Sequence, residues 1–234
     1  MKIGILKADS VREEFQSEFG DYPDMFIRLL SESSKDALSF ETYNVQEAVY
    51  PNYIDDCDVY IITGSRFSVY EDLHWIRRLE SFVVELHAVK KKLVGICFGH
   101  QLIALALGGK AELAQAGWGV GVHTTQVLQH QDFMCPSTTN FTAIVSHQDQ
   151  VTELPRGAEC LAGSDFCPNA MTRVGDHILT FQGHPEFETG YSRKLIEFRQ
   201  EIIGETIYSQ GLESLTQKTD EDILAQWILK FCEA

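Results

Sequence analysis

The 234-residue sequence predicts an α/β fold in which a mostly parallel β-sheet is covered by helices on both faces. In the first half of the chain, short apolar runs alternate with amphipathic stretches of helical length, which is the rhythm of β-α-β units. Several of these runs are continuously apolar, as expected for strands buried on both faces. A sharp join between an apolar run and a helical stretch, flanked by Gly95 and Gly99, predicts a strand-to-helix turn at one edge of this sheet.

The first half of the chain supplies the parallel part of the predicted sheet. Its first helix is predicted from apolar residues at Met25, Phe26, Leu29 and Leu30, which share one helical face. In chain order, the predicted elements are a strand at 2–6, a helix at 23–34, strands at 38–45 and 58–63, a helix at 73–91, a strand at 92–96 and a helix at 98–107.

Beyond residue 109 the pattern is richer in strands. Strands are predicted at 121–128, 141–146 and 177–182, and the loops between them are rich in Gly, Pro, Asn and Asp. The longest of these loops runs from 129 to 140. We expect some of these strands to be antiparallel.

Two helices are predicted to complete the chain, at 192–207 and 220–231. Thr219 or Asp220 is suited to cap the second helix. The whole chain, 1–234, is expected to form one domain with residues 190–234 packed on it. The last helix has an apolar face that is expected to pack on the sheet rather than bind a partner: Ile223, Leu224, Trp227, Ile228 and Phe231.

Composition favours an intracellular enzyme over a nucleic-acid or membrane protein. The formal net charge is −15 and the run Lys90-Lys91-Lys92 is the single basic cluster, so no nucleic-acid partner is expected. The chain enters a strand-like run at Lys2 without a leader, and no apolar run approaches the ~20 residues that span a bilayer. We therefore expect a soluble, cytoplasmic protein with no membrane partner.

The cysteines predict neither a disulfide framework nor a metal site. A chain of this length builds a core without disulfides, so reduced thiols are expected. Cys160 and Cys167 lack the C-x-x-C spacing of a zinc site, and no metal or cofactor is predicted.

Cys97 occupies the strand-to-helix turn. A side chain on such a turn projects clear of the sheet, and the crowded backbone requires glycine nearby. The N-terminus of the following helix favours a thiolate through its free N–H groups and its dipole. Cys97 is therefore a candidate nucleophile, although a buried structural cysteine gives the same local pattern.

A histidine and a carboxylate follow a later apolar run. Pro185 disfavours the helical region for His184, so His184 is expected to be extended. Residues two apart in extended chain point to the same side, which brings His184 and Glu186 within reach of each other. A base oriented by an acid is the partner that a cysteine nucleophile requires.

Four stretches resemble, in the same order, the signature motifs of class I glutamine amidotransferases, in particular the glutaminase of GMP synthetase. They are Gly64-Ser65-Arg66-Phe67-Ser68-Val69-Tyr70, Gly95-Ile96-Cys97-Phe98-Gly99-His100-Gln101, Ser146-His147-Gln148-Asp149 and His184-Pro185-Glu186. The resemblance implies a three-layer α/β/α fold of the flavodoxin-like type.

The resemblance also implies catalytic roles. Cys97 would attack the side-chain amide of glutamine to give a γ-glutamyl thioester and ammonia. His184 would act as base and then acid, and Glu186 would hold its imidazole. Backbone N–H groups near Gly64 and of Phe98 would meet the oxyanion.

Four further residues match positions that hold the glutamine substrate in this family. They are Gln101, through its side chain, and the backbone groups of Ser146, Gln148 and Asp149. The implied ligand is therefore a small molecule, either glutamine or another γ-glutamyl compound.

Two reactions follow from the same residues. Either ammonia from glutamine passes to a separate synthase, or the protein works alone as a peptidase that cleaves γ-glutamyl peptides. The stretch 8–24 is longer than expected for a GMP synthetase glutaminase and is closer to stand-alone relatives. A non-catalytic binding or regulatory module is a third reading, but such a module would not need thiol, imidazole and acid together.

The predicted oxyanion loop departs from the family pattern at Arg66 and Phe67. Small residues or proline are frequent at these positions in the family. Arg66 could pair with a second carboxylate on a larger γ-glutamyl compound, or it could be an exposed arginine at the tip of a loop.

Overall fold

A computed structural model describes all residues from Met1 to Ala234. Its centre is a nine-stranded sheet with the order β2-β1-β3-β4-β11-β10-β9-β6-β7, and β5 and β8 form a separate antiparallel pair. The strands are β1 (Lys2–Lys7), β2 (Ser39–Asn44), β3 (Val59–Ile62), β4 (Lys92–Ile96), β5 (Lys110–Leu113), β6 (Gly119–Val127), β7 (Asn140–His147), β8 (Asp149–Glu153), β9 (Ala158–Gly163), β10 (Met171–Val174) and β11 (Ile178–Phe181).

Strand pairing divides the large sheet into two parts. Strands β2, β1, β3, β4 and β11 are mutually parallel, whereas β11, β10, β9, β6 and β7 pair in antiparallel fashion. The predicted α/β fold is confirmed. Four of the five parallel strands come from the first half of the chain, and β11 joins them from the second half. The carboxyl ends of β1, β3, β4 and β11 therefore meet at one edge, where sites of open α/β sheets form.

Eight α-helices and two 3-10 helices (Val45–Glu47 and Ile54–Asp56) connect the strands. The α-helices are α1 (Glu13–Phe19), α2 (Tyr22–Ser33), α3 (His74–Ala88), α4 (Phe98–Ala106), α5 (Thr189–Phe198), α6 (Gln200–Ile203), α7 (Glu205–Ser214) and α8 (Glu221–Glu233).

Helices bury their apolar faces against both sides of the sheet. One cluster joins α2 and α8 to it through residues such as Phe26, Leu30 and Trp227, and a second joins α3 and α4 through Leu79 and Leu102. The apolar face predicted for the last helix is packed in the first of these clusters, as expected. Burial of this kind contributes roughly 25 cal/mol per Å² of apolar surface removed from water.

A third cluster attaches the C-terminal segment to the antiparallel part of the sheet. Helices α1, α5 and α7 pack there against β6 and β7. Helix α7 approaches β6 so closely that a Cβ on Gly211 would lie 2.6 Å from Cγ2 of Val120. A Cβ on Gly121, whose φ is +82°, would lie 2.7 Å from the carbonyl oxygen of Gly211. Glycine at both positions permits this direct contact.

Two predictions about the C-terminal segment are wrong. The single helix at 192–207 is broken into α5, α6 and the start of α7, with Arg199 (φ −97°, ψ 7°) at the first break and Gly204 (φ +80°) at the second. Asp220 precedes α8 but does not cap it through its side chain. Its carboxylate instead accepts hydrogen bonds from the backbone N–H and the hydroxyl of Thr142.

Several short elements were not predicted. Helix α1 lies within the stretch 8–24, and β5, β8, β9 and β10 lie among the loops of the second half. None of the helices is long and apolar enough to cross a bilayer.

Candidate active site

Cys97 stands on a tight elbow between β4 and α4. Its backbone has φ 50° and ψ −98°, a conformation that costs a non-glycine residue about 1–3 kcal/mol. The flanking glycines are required by contact, because a Cβ on Gly95 would lie 2.7 Å from the Gly99 carbonyl and one on Gly99 2.6 Å from that of Ile62. The structure thus holds the cysteine at the carboxyl edge of the sheet, where it lines an open cavity.

His184 and Glu186 lie together just beyond β11. Nδ1 of His184 is 2.7 Å from Oε1 of Glu186, and both side chains are buried. The backbone N–H of His184 donates to the carbonyl of Ile144, which ties this segment to β7. Phe187 stacks on the imidazole with ring centroids 3.9 Å apart and planes inclined by 9°. The imidazole is therefore fixed on one edge by a carboxylate and on one face by an aromatic ring.

The protonation of His184 is set by its burial and by two neighbouring charges. Burial alone would lower the pKa of His184, but the negative charges of Glu186 and Cys97 outweigh it and raise this pKa to about 10. The Glu186 carboxylate, which is hydrogen-bonded to Nδ1 of His184, favours the imidazolium form. The three residues predicted as catalytic are thus brought into one electrostatically coupled group.

A chain of amides runs from Cys97 to the opposite wall. Nε2 of Gln182 lies 3.5 Å from Sγ of Cys97, and Oε1 of Gln182 accepts from the amide of Gln101 at 3.2 Å. The same Gln101 amide donates to the carbonyl of Asp149 at 2.7 Å. Gln101, predicted to hold substrate, therefore also connects the nucleophile to the strand that carries Asp149.

The loop after β3 lies directly against the base. A Cβ on Gly64 would lie 2.8 Å from Cε1 of His184, so this position has no room for a side chain. Phe98 is the first residue of α4, where backbone N–H groups have no partner within the helix. Phe67 packs on Trp75, which stacks on Phe98. Both predicted oxyanion positions therefore border Cys97 and His184.

Asp149 holds the far end of this loop. Its buried carboxylate accepts hydrogen bonds from the hydroxyls of Ser68 at 2.5 Å and Tyr70 at 3.0 Å. Asp149 was predicted only for its backbone, and the structure gives its side chain a role in ordering the loop. Sequence spacing gave no signal for this pair, since Ser68 and Tyr70 are about 80 residues away.

Arg66 is paired within the protein. Its Nε donates to Oδ2 of Asp9 at 2.7 Å, its backbone N–H donates to the same oxygen, and its guanidinium also donates to the carbonyl of Ser10. Asp9 is buried and the Arg66 side chain is half exposed. The arginine thus anchors the loop to the end of β1 as well as lining the cavity.

The cavity beside Cys97 has a volume of about 40 Å³. The structure places all four predicted substrate-holding residues on its walls, together with two residues that lie outside the predicted motifs. The four are Gln101, Ser146, Gln148 and Asp149, and the two are Trp118 and Arg199.

Two buried histidines near the cavity are neutral. Burial lowers the pKa of His100 and of His147 to about 3. His100 is hydrogen-bonded through Nδ1 to Thr180, and Nδ1 of His147 donates to the carbonyl of Asp149. Neither is positioned by a carboxylate as His184 is, so His184 is the base that the geometry favours.

A cysteine on a strand-to-helix elbow beside a buried histidine–glutamate pair is the arrangement of α/β enzymes with a thiol nucleophile. Among such enzymes, this chain belongs to the class I glutamine amidotransferases, because the family profile described as glutamine amidotransferase class-I matches residues 35–202.

Individual relatives are similar over nearly the full chain. A putative glutamine amidotransferase-like protein of Schizosaccharomyces pombe is 33% identical, with 98% of this chain and 97% of that protein covered. Gamma-glutamyl peptidase 3 of Arabidopsis thaliana is 29% identical, with 99% and 95% covered. The crystal structure of a glutamine amidotransferase from Thermotoga maritima has the same fold, with a TM-score of 0.78, 16% identity and 99% of each chain covered.

Proposed function

We propose that this protein is a cysteine hydrolase of γ-glutamyl amide bonds that acts through a covalent thioester. The single observation that supports this proposal best is that Cys97, on the cavity wall, and the buried His184–Glu186 pair follow the ends of the adjacent strands β4 and β11. Nucleophile, base and orienting acid are the three parts that acyl transfer through a thiol requires.

The first half of the reaction forms the thioester. The Cys97 sulfur attacks the γ-carbonyl carbon of the substrate, a C–S bond forms and the carbonyl oxygen becomes an oxyanion. The backbone N–H groups at Gly64 and Phe98 receive this oxyanion, and a donor of this kind is worth about 3 kcal/mol to the transition state. The C–N bond then breaks, and the departing nitrogen takes its proton from the His184 imidazolium.

The second half regenerates the thiolate. Neutral His184 removes a proton from water, the hydroxide attacks the thioester carbon, and the C–S bond breaks. Glutamate leaves and His184 is again protonated beside Glu186. The aromatic ring of Phe187 and the carboxylate of Glu186 keep the imidazole in one orientation through both halves.

The γ-glutamyl half of the substrate occupies the cavity near Gln148. Its α-carboxylate and α-amino groups bind the backbone and side-chain groups of Gln101, Ser146, Gln148 and Asp149. The loop anchored by Arg66 and Ser68 closes one side of this cavity. The lining supplies the polar groups that orient a small zwitterion.

Glutamine and γ-glutamyl peptides both fit this chemistry, and they differ only in the amine that leaves. Glutamine releases ammonia, which a separate synthase would consume. A γ-glutamyl peptide releases a larger amine and needs space beyond the cavity. An open groove of about 360 Å³ adjoins the cavity, and this observation favours the peptide as a second candidate substrate.

The test is glutamate release by the purified protein from glutamine and from a γ-glutamyl dipeptide. Intact-mass measurement after acid quenching should detect a γ-glutamyl adduct that digestion maps to Cys97. Release from both compounds supports the general proposal, and release from one assigns the leaving amine. Absence of release from both, together with no adduct on Cys97, would refute it.

A further inference from the structure

The groove adjoins the substrate cavity. The two spaces share four lining residues, Arg66, Trp118, Gln148 and Arg199, so they are direct neighbours on the surface. The outer wall of the groove is formed by α5 and α6. A carboxamide nitrogen would leave this second space empty, so a larger leaving group is needed to fill it.

The groove lies on the His184 side of the nucleophile. Tyr22 and Tyr191 line it, with their hydroxyls 3.1 Å apart, and both rings pack on Phe187. Phe187 in turn stacks on the His184 imidazole. Because His184 gives its proton to the departing nitrogen, the leaving half of a substrate extends towards this side.

The groove is cationic although the protein is strongly acidic. Arg12, Arg66 and Arg199 line it against a single carboxylate, Asp9, in a chain of formal net charge −15. A local positive charge in such a chain favours an anionic group on the ligand.

Arg199 differs from the other two arginines in having no carboxylate partner. Arg66 is paired with Asp9 at 2.7 Å and Arg12 with Glu14 at 2.9 Å. Carboxylates of the protein therefore already neutralise the charges of Arg66 and Arg12, whereas the charge of Arg199 remains available to a ligand.

The Arg199 guanidinium is held in position by neutral groups. One of its terminal nitrogens donates to Oγ of Ser146 at 2.7 Å, and its carbon lies 5.3 Å from the centroid of the Trp118 ring. The remaining N–H donors can bind a carboxylate through two parallel hydrogen bonds.

The wall beside Arg199 is apolar. Phe198 and Ile202 are 48% and 66% exposed, and both line the groove. An apolar side chain on the leaving residue would cover these two surfaces and remove them from water.

We infer that Arg199 is a specificity-determining residue, which binds the free carboxylate of the leaving residue in γ-glutamyl dipeptides with an apolar second residue. This inference rests on the proposed hydrolysis of γ-glutamyl bonds and adds to it the class of leaving group. Arg199 does not touch the reacting atoms, so its effect is on substrate choice.

The experiment compares two substrates that differ only in this carboxylate. They are γ-glutamyl-phenylalanine and its C-terminal amide, and kcat/KM is measured for both. The acid is expected to exceed the amide by about tenfold, because the amide cannot form the charge-assisted hydrogen bonds to Arg199. The ratio should fall as sodium chloride is raised, because the groove is open to solvent.

Variants assign the preference to one residue. Arg199→Gln should bring the ratio of acid to amide close to one, and Arg199→Lys should keep part of it because the charge remains. Arg193→Gln is the matched control, since Arg193 is an exposed arginine on α5, the helix that ends directly before Arg199, and the ratio should stay at the wild-type value. A structural defect alone would lower both rates and leave the ratio unchanged.

The outcomes distinguish this inference from the proposed hydrolase function on which it rests. A wild-type ratio near one, an unchanged ratio in Arg199→Gln, or release from glutamine with none from either dipeptide would overturn the inference and leave the hydrolase proposal standing. Absence of glutamate release from every γ-glutamyl compound would overturn both. If Arg199→Gln does not fold, the wild-type ratio and its salt dependence still decide the outcome.

Discussion

The two walls of the active site differ in how tightly they are packed. On the elbow wall, Cys97, His184 and Glu186 are buried, and two glycines leave no space for a methyl group. On the groove wall, Phe198 and Ile202 are largely exposed. Under the proposed function, the chemistry would depend on groups fixed by the core, whereas the substrate would be selected by side chains that the core barely constrains.

Replacing the nucleophile should have the largest effect. Cys97→Ala removes the attacking atom, and glutamate release should fall by at least about 10⁴-fold. Little stability should be lost, because only a sulfur at the cavity surface is removed. Steady-state assays combined with urea unfolding measure both quantities. A variant that remained fully active would exclude Cys97 as the nucleophile.

Replacing the orienting acid should follow in size. Glu186→Gln removes the charge beside His184, and kcat should fall by about 10³-fold because the imidazolium loses its partner. The isosteric amide keeps the volume of the site, which separates charge from packing.

The same variant should alter how stability depends on pH. The folded-state pKa of His184 is raised from 6.5 to about 10, so its protonation stabilises the fold fully below pH 6.5 and this contribution is lost as the pH approaches 10. The wild type should therefore have a higher free energy of unfolding than the variant. This difference should be largest near pH 6.5 and should shrink as the pH approaches 10. A difference independent of pH between 6.5 and 10 would contradict the pairing.

Crowding the elbow should damage both folding and activity. The branched side chain of Gly99→Val meets the Ile62 carbonyl and side chain, and the free energy of unfolding should fall by about 3 kcal/mol. Gly190→Ala is the control, since its Cβ meets only ring carbons of Phe19 at 3.2 Å and beyond. Equal effects of the two substitutions in urea titrations would show that the elbow is not specially constrained.

Loosening the loop after β3 should have a smaller effect. Asp149→Asn weakens the hydrogen bonds from Ser68 and Tyr70, and kcat should fall about tenfold because the oxyanion donors become less well positioned. Tyr70→Phe removes one bond only and should cost less. A rise in KM with kcat unchanged would indicate that Asp149 acts on substrate binding alone.

Relieving the strain of the nucleophile should have the smallest effect. Cys97→Gly should be more stable than Cys97→Ala by about 1 kcal/mol, because glycine adopts a φ of 50° without steric cost. Thermal unfolding of the two inactive proteins measures this difference directly. An alanine variant of equal or greater stability would show that the elbow stores no strain.

The sequence predicted the parallel part of the fold well for a physical reason. Strands such as β3 and β4 are buried on both faces, and continuous apolar runs report this directly. The elements that were missed, such as β5, β8 and β10, are short. Strand β5 is largely exposed in its separate pair with β8, so its composition resembles that of a loop.

The residues of the candidate site also separate into those that the sequence predicts and those that it does not. Cys97, His184 and Glu186 follow from local motifs in which spacing fixes geometry. Gln182, Phe187 and Arg199 carry no local signal, because their contacts join segments distant in sequence. The break at Arg199 is decided by tertiary packing, since nothing in residues 192–207 before Gly204 interrupts the helical pattern.

The direct contact of α7 with β6 has a consequence for how substrate preference can change among homologues. Gly211 and Gly121 allow α7 to pack directly on β6, which fixes the position of this helix. The short connection between residue 199 and Gly204 therefore joins the fixed helix to the rim of the groove. Insertions or deletions in that connection would widen or narrow the groove while the elbow and its histidine stayed in place. Homologues that differ in preferred substrate should therefore vary in length at this connection and keep both glycines of the anchor.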